Sequence, residues 1–62
     1  MRGLKRVREA AKMTQTELAD KIGVKPNAVS QYESGVRAPR AALLPKIAQV
    51  LGCTVDELLQ EQ

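Results

Sequence analysis

The sequence predicts an all-α domain of five short helices, and three observations carry that prediction. Apolar residues recur at spacings of three and four, which puts them on one face of a helix. No alternating run of β-branched or aromatic residues offers a strand, and no internal repeat is visible. Two Thr-x-x-Glu stretches, beginning at Thr14 and Thr54, have the form of capping boxes, and Gly23, Gly35 and Gly52 stand where helices would stop.

The first helix is expected over residues 3–11, with Leu4, Val7 and Ala11 as its inward stripe and Lys5, Arg6, Glu9 and Lys12 pointing elsewhere. Arg8 breaks the pattern, because four residues after Leu4 it falls on the apolar side. At the start of the second helix the Thr14 hydroxyl accepts from the Glu17 backbone N–H, and the Glu17 carboxylate reaches back to the Thr14 N–H. Leu18 and Ile22 then face inward together. Gly23 follows, where a left-handed backbone costs a residue with a Cβ about 1–2 kcal/mol and glycine nothing, so the chain turns there.

Pro26 suits the first position of the third helix, since the N–H it lacks would have had no partner. That helix is expected over residues 26–33, ended by Ser34-Gly35. Val29 anchors it, and Glu33, four residues on, brings a second charge to the core side. Either charge alone, desolvated against Leu and Val side chains, would cost several kcal/mol. A salt bridge between Arg8 and Glu33 compensates both and is the expected arrangement; the alternative is that both long side chains extend past the core edge into water.

Leu44, Ile47, Ala48 and Leu51 follow the i, i+3, i+4, i+7 rule of a fourth helix that Gly52 stops. Pro45 removes an N–H and crowds the Ala41 carbonyl, so regular helix begins between Ala41 and Leu44. The fifth helix opens with the Thr54-Val55-Asp56-Glu57 box and is expected to bury Val55, Leu58 and Leu59, with the last two residues fraying.

A chain of 62 residues is one domain, 1–62, and buries only about 60% of the surface its unfolded form exposes. Cys53 is alone and histidine is absent, so neither a disulfide nor a Cys/His zinc site is available to reinforce it. Beside Gly52, Cys53 reads as a small buried hydrophobe ahead of a reactive thiol, which suits a reducing compartment. Arg2, Lys5, Arg6, Arg8 and Lys12 interleave with the early apolar residues, leaving no block for a signal peptide or membrane span, and there is no Trp or Phe to anchor an interfacial helix. The protein is expected to be soluble and cytoplasmic, with no membrane partner.

The net charge is +3, unevenly spread: residues 1–31 hold seven Lys/Arg against three Asp/Glu, and residues 32–62 hold three against four. Asp56, Glu57 and Glu61 gather at the far end, which should face away from phosphates. An imbalance this mild is common in solvated domains and only agrees with a nucleic-acid role. Without His, a metal cluster, a glycine-rich phosphate loop or an enclosed pair of carboxylates, the chain is not expected to be an enzyme or to hold a cofactor. Single-stranded nucleic acid is disfavoured, because Tyr32 is the only aromatic and a stacking platform needs several.

Residues 14–34 therefore read as helix, sharp turn and second helix, the spacing of a helix-turn-helix. Opposite Val29, the residues Asn27, Ser30, Gln31 and Ser34 form an outward stripe at i, i+3, i+4 and i+7. Asn27 and Gln31 can each pair with adenine N6 and N7 in the major groove, a contact worth about 1–3 kcal/mol of discrimination. They are the expected base readers, together with Ser30. Gln15, in the first turn of the second helix, sits where free N–H groups and the positive helix end favour a phosphate oxygen. Lys25, Ser34, Arg37 and Arg40 flank the reading helix and are expected at backbone phosphates, setting affinity without selecting bases. A plain solvated helix face is the alternative, and only the surrounding motif outweighs it.

From Leu4 to Leu59 the sequence resembles the phage-repressor and Cro-like, or Xre-type, helix-turn-helix family. The resemblance rests on Arg8, on Thr14-Gln15-x-x-Leu18-Ala19, on Gly23-Val24, on Tyr32-Glu33-x-Gly35 and on Leu51-Gly52. It implies a compact five-helix, lambda-repressor-like domain, a pairing of Arg8 with Glu33, a phosphate clamp at Gln15, and sequence-specific binding to double-stranded operator DNA as a transcriptional regulator, a repressor in the leading reading. Two positions depart from the family pattern. Lys12 stands where many relatives have glycine, so it is expected at positive φ with some strain. Pro26 replaces a residue that in relatives often hydrogen-bonds to DNA, and offers only apolar contact, as to a thymine methyl.

Regulators of this kind generally dimerise, placing two reading helices about 34 Å apart on successive major grooves. A homodimer is expected here, with Val50 or Leu59 on its surface. The rival function is an antitoxin or adaptor module that uses the same fold chiefly to hold another protein.

Overall fold

The computed structural model describes residues 1–60, the Arg2 side chain excepted, and consists of α1 (Arg2–Ala10), α2 (Gln15–Ile22), α3 (Pro26–Ser34), α4 (Leu43–Leu51) and α5 (Val55–Leu59). Glu61 and the fraying expected of the last two residues lie outside the described residues. Each helix contributes a large, fully buried aliphatic side chain to a single core: Leu4, Leu18, Val29, Ile47 and Leu58. Ala19, Ile22, Ala28, Tyr32, Ala48 and Leu51 fill in around them. Burial of one aliphatic side chain stabilises by about 1.5–3 kcal/mol, so five helices too short to persist alone hold one another in place. α1 packs on α3 and α5, α2 on α3 and α4, and α4 on α5.

The capping chemistry is in place at both threonines. Glu17 N–H donates to Thr14 Oγ1 at 3.1 Å and Thr14 N–H to Glu17 Oε1 at 2.9 Å; at α5 the matching distances are 3.2 and 3.1 Å. The exchange of hydrogen bonds holds the Glu17 carboxyl below the usual glutamate range. α4 begins at Leu43, within the expected window, because Pro45 then falls in the first turn, where a helical N–H has no partner to lose.

α1 and α2 end alike. Gly23, at φ 79°, lets the Val24 N–H return to the Ala19 carbonyl at 3.0 Å. After α1 the left-handed residue is Lys12, at φ 59°, and the Met13 N–H returns to the Arg8 carbonyl at 3.2 Å. Both closures are the six-to-one bond of a Schellman motif, and the second places a side chain where the backbone favours glycine.

Three expectations need correcting, and one contact is additional to them. Ala11 is exposed: α1 stops at Ala10, and the inward position of that turn passes to Met13, which packs against the core. Leu59 is 48% exposed, because the single turn of α5 presents one side to the core and Leu58 occupies it; Val55 is half-buried. α3 runs one residue further than expected and includes Ser34. Gly3 is a buried contact between helices, since a Cβ there would lie 2.2 Å from the Glu57 carbonyl oxygen and 2.7 Å from that of Leu58.

Candidate nucleic-acid interface

α3 is held from behind and open in front. Ala28, Val29 and Tyr32 bury its rear face at 7, 0 and 4% exposure, while Asn27, Ser30 and Ser34 are exposed. Pro26 at its first position and Lys25 immediately before are exposed as well. Gln31 shares the stripe but is half-buried, so it stands lower than Asn27. Its backbone carbonyl accepts from the Ser34 hydroxyl at 3.2 Å and from the Arg37 N–H at 3.3 Å. The Ser34 hydrogen is thereby used within the helix, which leaves that hydroxyl as an acceptor and weakens it as a phosphate donor. Arg37 and Arg40 lie in the exposed connection between α3 and α4.

Behind α3 lies a charged knot that joins three elements. Arg8 Nε donates to Glu33 Oε2 at 2.6 Å, and Arg8 Nη2 reaches Glu33 Oε1 at 3.4 Å, a forked pairing of α1 with α3. Arg8 Nη1 donates to the Met13 carbonyl at 2.6 Å, and Gln15 Nε2 donates to Glu33 Oε1 at 2.9 Å. The bond to Glu33 raises the Arg8 pKa above its ordinary value, against an opposing effect of desolvation. No buried side-chain nitrogen or oxygen among the described residues lacks a partner. A carboxylate only accepts, so Glu33 takes one Gln15 N–H, and the second N–H and the carbonyl remain for a ligand.

Gln15, Ser30, Glu33 and Ser34 come together with Lys5 around a shallow cleft of about 220 Å³ where α1, α2 and α3 meet. The sequence places Lys5 off the inward stripe of α1; its place beside Gln15 follows from the packing of α1 on α3, which no local pattern encodes. A second concavity, about 300 Å³, lies between α1 and the α4–α5 turn, and none of its lining residues belongs to α2 or α3. Cys53 lines it and is half-buried, less than the buried hydrophobe expected, and burial pushes its thiol above the ordinary range. No helix among the described residues is long and apolar enough to cross a membrane.

A capped helix, a left-handed glycine turn and a second helix with an exposed polar front, fixed on three supporting helices, define a helix-turn-helix protein. The helix-turn-helix family matches residues 4–58, and the chain belongs to that family in its Xre-type, phage-repressor-like form. It is 39% identical over 57 residues to the HTH-type transcriptional regulator YqaE of Bacillus subtilis, covering 92% of this chain and 49% of that protein. It is 41% identical over 51 residues to the cryptic phage CTXphi transcriptional repressor RstR of Vibrio cholerae, covering 82% and 46%. It is 39% identical over 51 residues to multiprotein-bridging factor 1 of Candida albicans, covering 82% and 34%. The chain thus spans less than half the length of each of these relatives.

Proposed function

We propose that the chain is the DNA-binding unit of a transcriptional regulator, acting as a repressor, that reads the major groove of double-stranded operator DNA with α3. The observation that carries this reading is the two-sidedness of α3, locked to the core by Val29 and Tyr32 while Asn27 and Ser30 stand exposed on its front. Asn27 and Gln31 read base edges, Ser30 assists, and Pro26 offers apolar contact. Gln15, Lys25, Arg37 and Arg40 hold backbone phosphates, and Ser34 joins them only by turning its hydrogen from the Gln31 carbonyl to a phosphate oxygen. No cofactor enters this mechanism. The site of action is the cytoplasm, and the binding species is a homodimer in which Leu59, exposed at the end of α5, and Val50 meet the partner copy. Likeness to a protein named as a transcriptional repressor and to one named as an HTH-type regulator supports the reading.

A second reading is favoured by likeness to a protein named as a multiprotein-bridging factor and by Val36, which is 77% exposed just past α3. In it the same fold holds a protein partner through apolar anchors. Selection of bound duplexes from a random library separates the two. The DNA reading expects a near-palindromic sequence to emerge, with half-sites about 10–10.5 base pairs apart, and the enrichment to disappear in the double variant Asn27→Ala, Gln31→Ala. A pool that stays random, or a preference that survives the double variant, overturns it.

A further inference from the structure

We propose that the cleft between α1, α2 and α3 seats one phosphodiester of the DNA backbone, with Lys5 of α1 as its cation. The proposal rests on the DNA-binding reading and deepens it, adding a contact from a helix outside the helix-turn-helix itself. Lys5, Gln15, Ser30, Glu33 and Ser34 line the cleft. The cleft, of about 220 Å³, is open to solvent, so a phosphate group on a DNA strand can reach its donors.

The donors in the cleft match the two unshared oxygens of such a group. The Lys5 ammonium has three N–H bonds, the Gln15 amide has one left after Glu33 takes the other, and the Ser30 hydroxyl has its hydrogen. Glu33 would repel an anion if it were free, but its Oε2 is held by Arg8 Nε at 2.6 Å and its Oε1 by Arg8 and Gln15. Arg8, outside the lining, neutralises Glu33, which leaves Lys5 as the uncompensated cation of the cleft. Ser30 and Ser34 also belong to the front of α3, so an anion seated here touches the flank of the reading helix. One seat would therefore tie α1, α2 and α3 to a single point on the DNA strand and fix the depth at which Asn27 enters the groove.

The test compares Lys5→Gln, Lys5→Arg and, as a control for net charge alone, Lys46→Gln from the exposed face of α4, on a duplex that the wild-type chain selects. One lost phosphate contact lowers the slope of log affinity against log salt by about 0.9, so the advantage of wild type over Lys5→Gln shrinks about 3.5-fold between 50 and 200 mM salt. Lys5→Arg keeps the wild-type slope, and so does Lys46→Gln. Duplexes carrying one uncharged methylphosphonate linkage then locate the seat: a linkage that weakens the wild-type chain should leave Lys5→Gln unaffected. An unchanged slope for Lys5→Gln, an equal change for Lys46→Gln, or the same linkage sensitivity in wild type and Lys5→Gln overturns the proposal while leaving the DNA reading intact. A wild-type chain that selects no duplex overturns both. Thermal unfolding of each variant is followed alongside, and Lys5, being exposed, is expected to leave it unchanged.

Discussion

Arg8 and Glu33, twenty-five residues apart, meet at 2.6 Å with side chains only 9% and 6% exposed. The pair bolts α3 to α1 and reaches Gln15 at the start of α2, so it organises the candidate interface from behind. Removing one partner of a buried pair strands the other, at a typical cost of about 3–5 kcal/mol. A domain of this size has about 3–9 kcal/mol in all. Glu33→Gln should therefore lower the urea midpoint severely or leave the chain unfolded at 25 °C, followed by circular dichroism. Arg8→Met with Glu33→Leu should recover much of the loss, because no lone charge is then buried. A single variant within 1 kcal/mol of wild type would show that water solvates the pair.

Lys12 occupies a left-handed position that the ends of α2, α3 and α4 give to glycine. The strain of a Cβ there is about 1–2 kcal/mol, offset by the extra freedom glycine brings to the unfolded chain, about 0.4–1 kcal/mol. Lys12→Gly should raise stability by about 0.5–1 kcal/mol, and each kcal/mol moves the melting temperature of so small a domain by about 4–8 °C. An unchanged or lower melting temperature would mean that the lysine makes a contact worth as much as the strain.

Gly3 presents the opposite case. Alanine is the better helix former by about 0.8–1.0 kcal/mol, yet a Cβ at this position would lie 2.2 Å from the Glu57 carbonyl oxygen, a backbone atom with little room to move. The clash should win: forcing an extra methyl into packed structure costs about 1–3 kcal/mol. Gly3→Ala is expected to lower the denaturation midpoint, and an increase would show that α5 slides away from α1 at small cost.

The contrast between Lys12 and Gly3 explains what the sequence made legible. Features written locally could be read: the two capping boxes, the Gly23 turn, the first-turn placement of Pro45, and the large aliphatic residue of each helix that the core fully buries. Arg8 and Glu33 were legible because each breaks a local pattern and only the other repairs it. What depends on the angle between helices was not legible. Gly3 looks like any small residue near a helix start until α5 is laid across it, and Lys5 looks solvated until α1 is set beside α2 and α3. Tyr32 carried a readable core signal, three residues after Val29 and four after Ala28, beside its place in the family pattern and its being the lone aromatic. Leu59 misled because the apolar stripe of a five-residue helix is too short to fix its orientation.

The capping box at Thr14 gives stability a pH dependence of known sign. Glu17 is held below its ordinary range by the Thr14 backbone and side-chain bonds, so its ionised form is favoured in the folded state. The contribution is complete above the unfolded pKa and is lost as pH falls through the folded one. Wild type should therefore lose stability on acidification through the carboxylate range more steeply than Glu17→Gln, whose amide keeps a bond to Thr14 without titrating. Parallel melting-temperature curves for the two proteins would show that the bond has no charge preference.

The division of labour on the interface predicts two kinds of binding loss. Asn27 stands on the exposed front of α3, and Arg37 lies just beyond its end on the connection to α4. A base-reading amide contributes about 1–3 kcal/mol of preference for its base pair, so Asn27→Ala should weaken the matched duplex and barely change a duplex mismatched at that pair. A phosphate-bound arginine contributes equally to every sequence, and its loss reduces the salt slope by about 1. Arg37→Ala should therefore weaken matched and mismatched duplexes by the same factor, with a gap from wild type that narrows as salt rises. Titrations of both variants on both duplexes at several salt concentrations separate the roles. Base-selective loss in Arg37→Ala, or uniform salt-dependent loss in Asn27→Ala, would exchange the assignments and move the reading surface from the front of α3 to the loop that follows it.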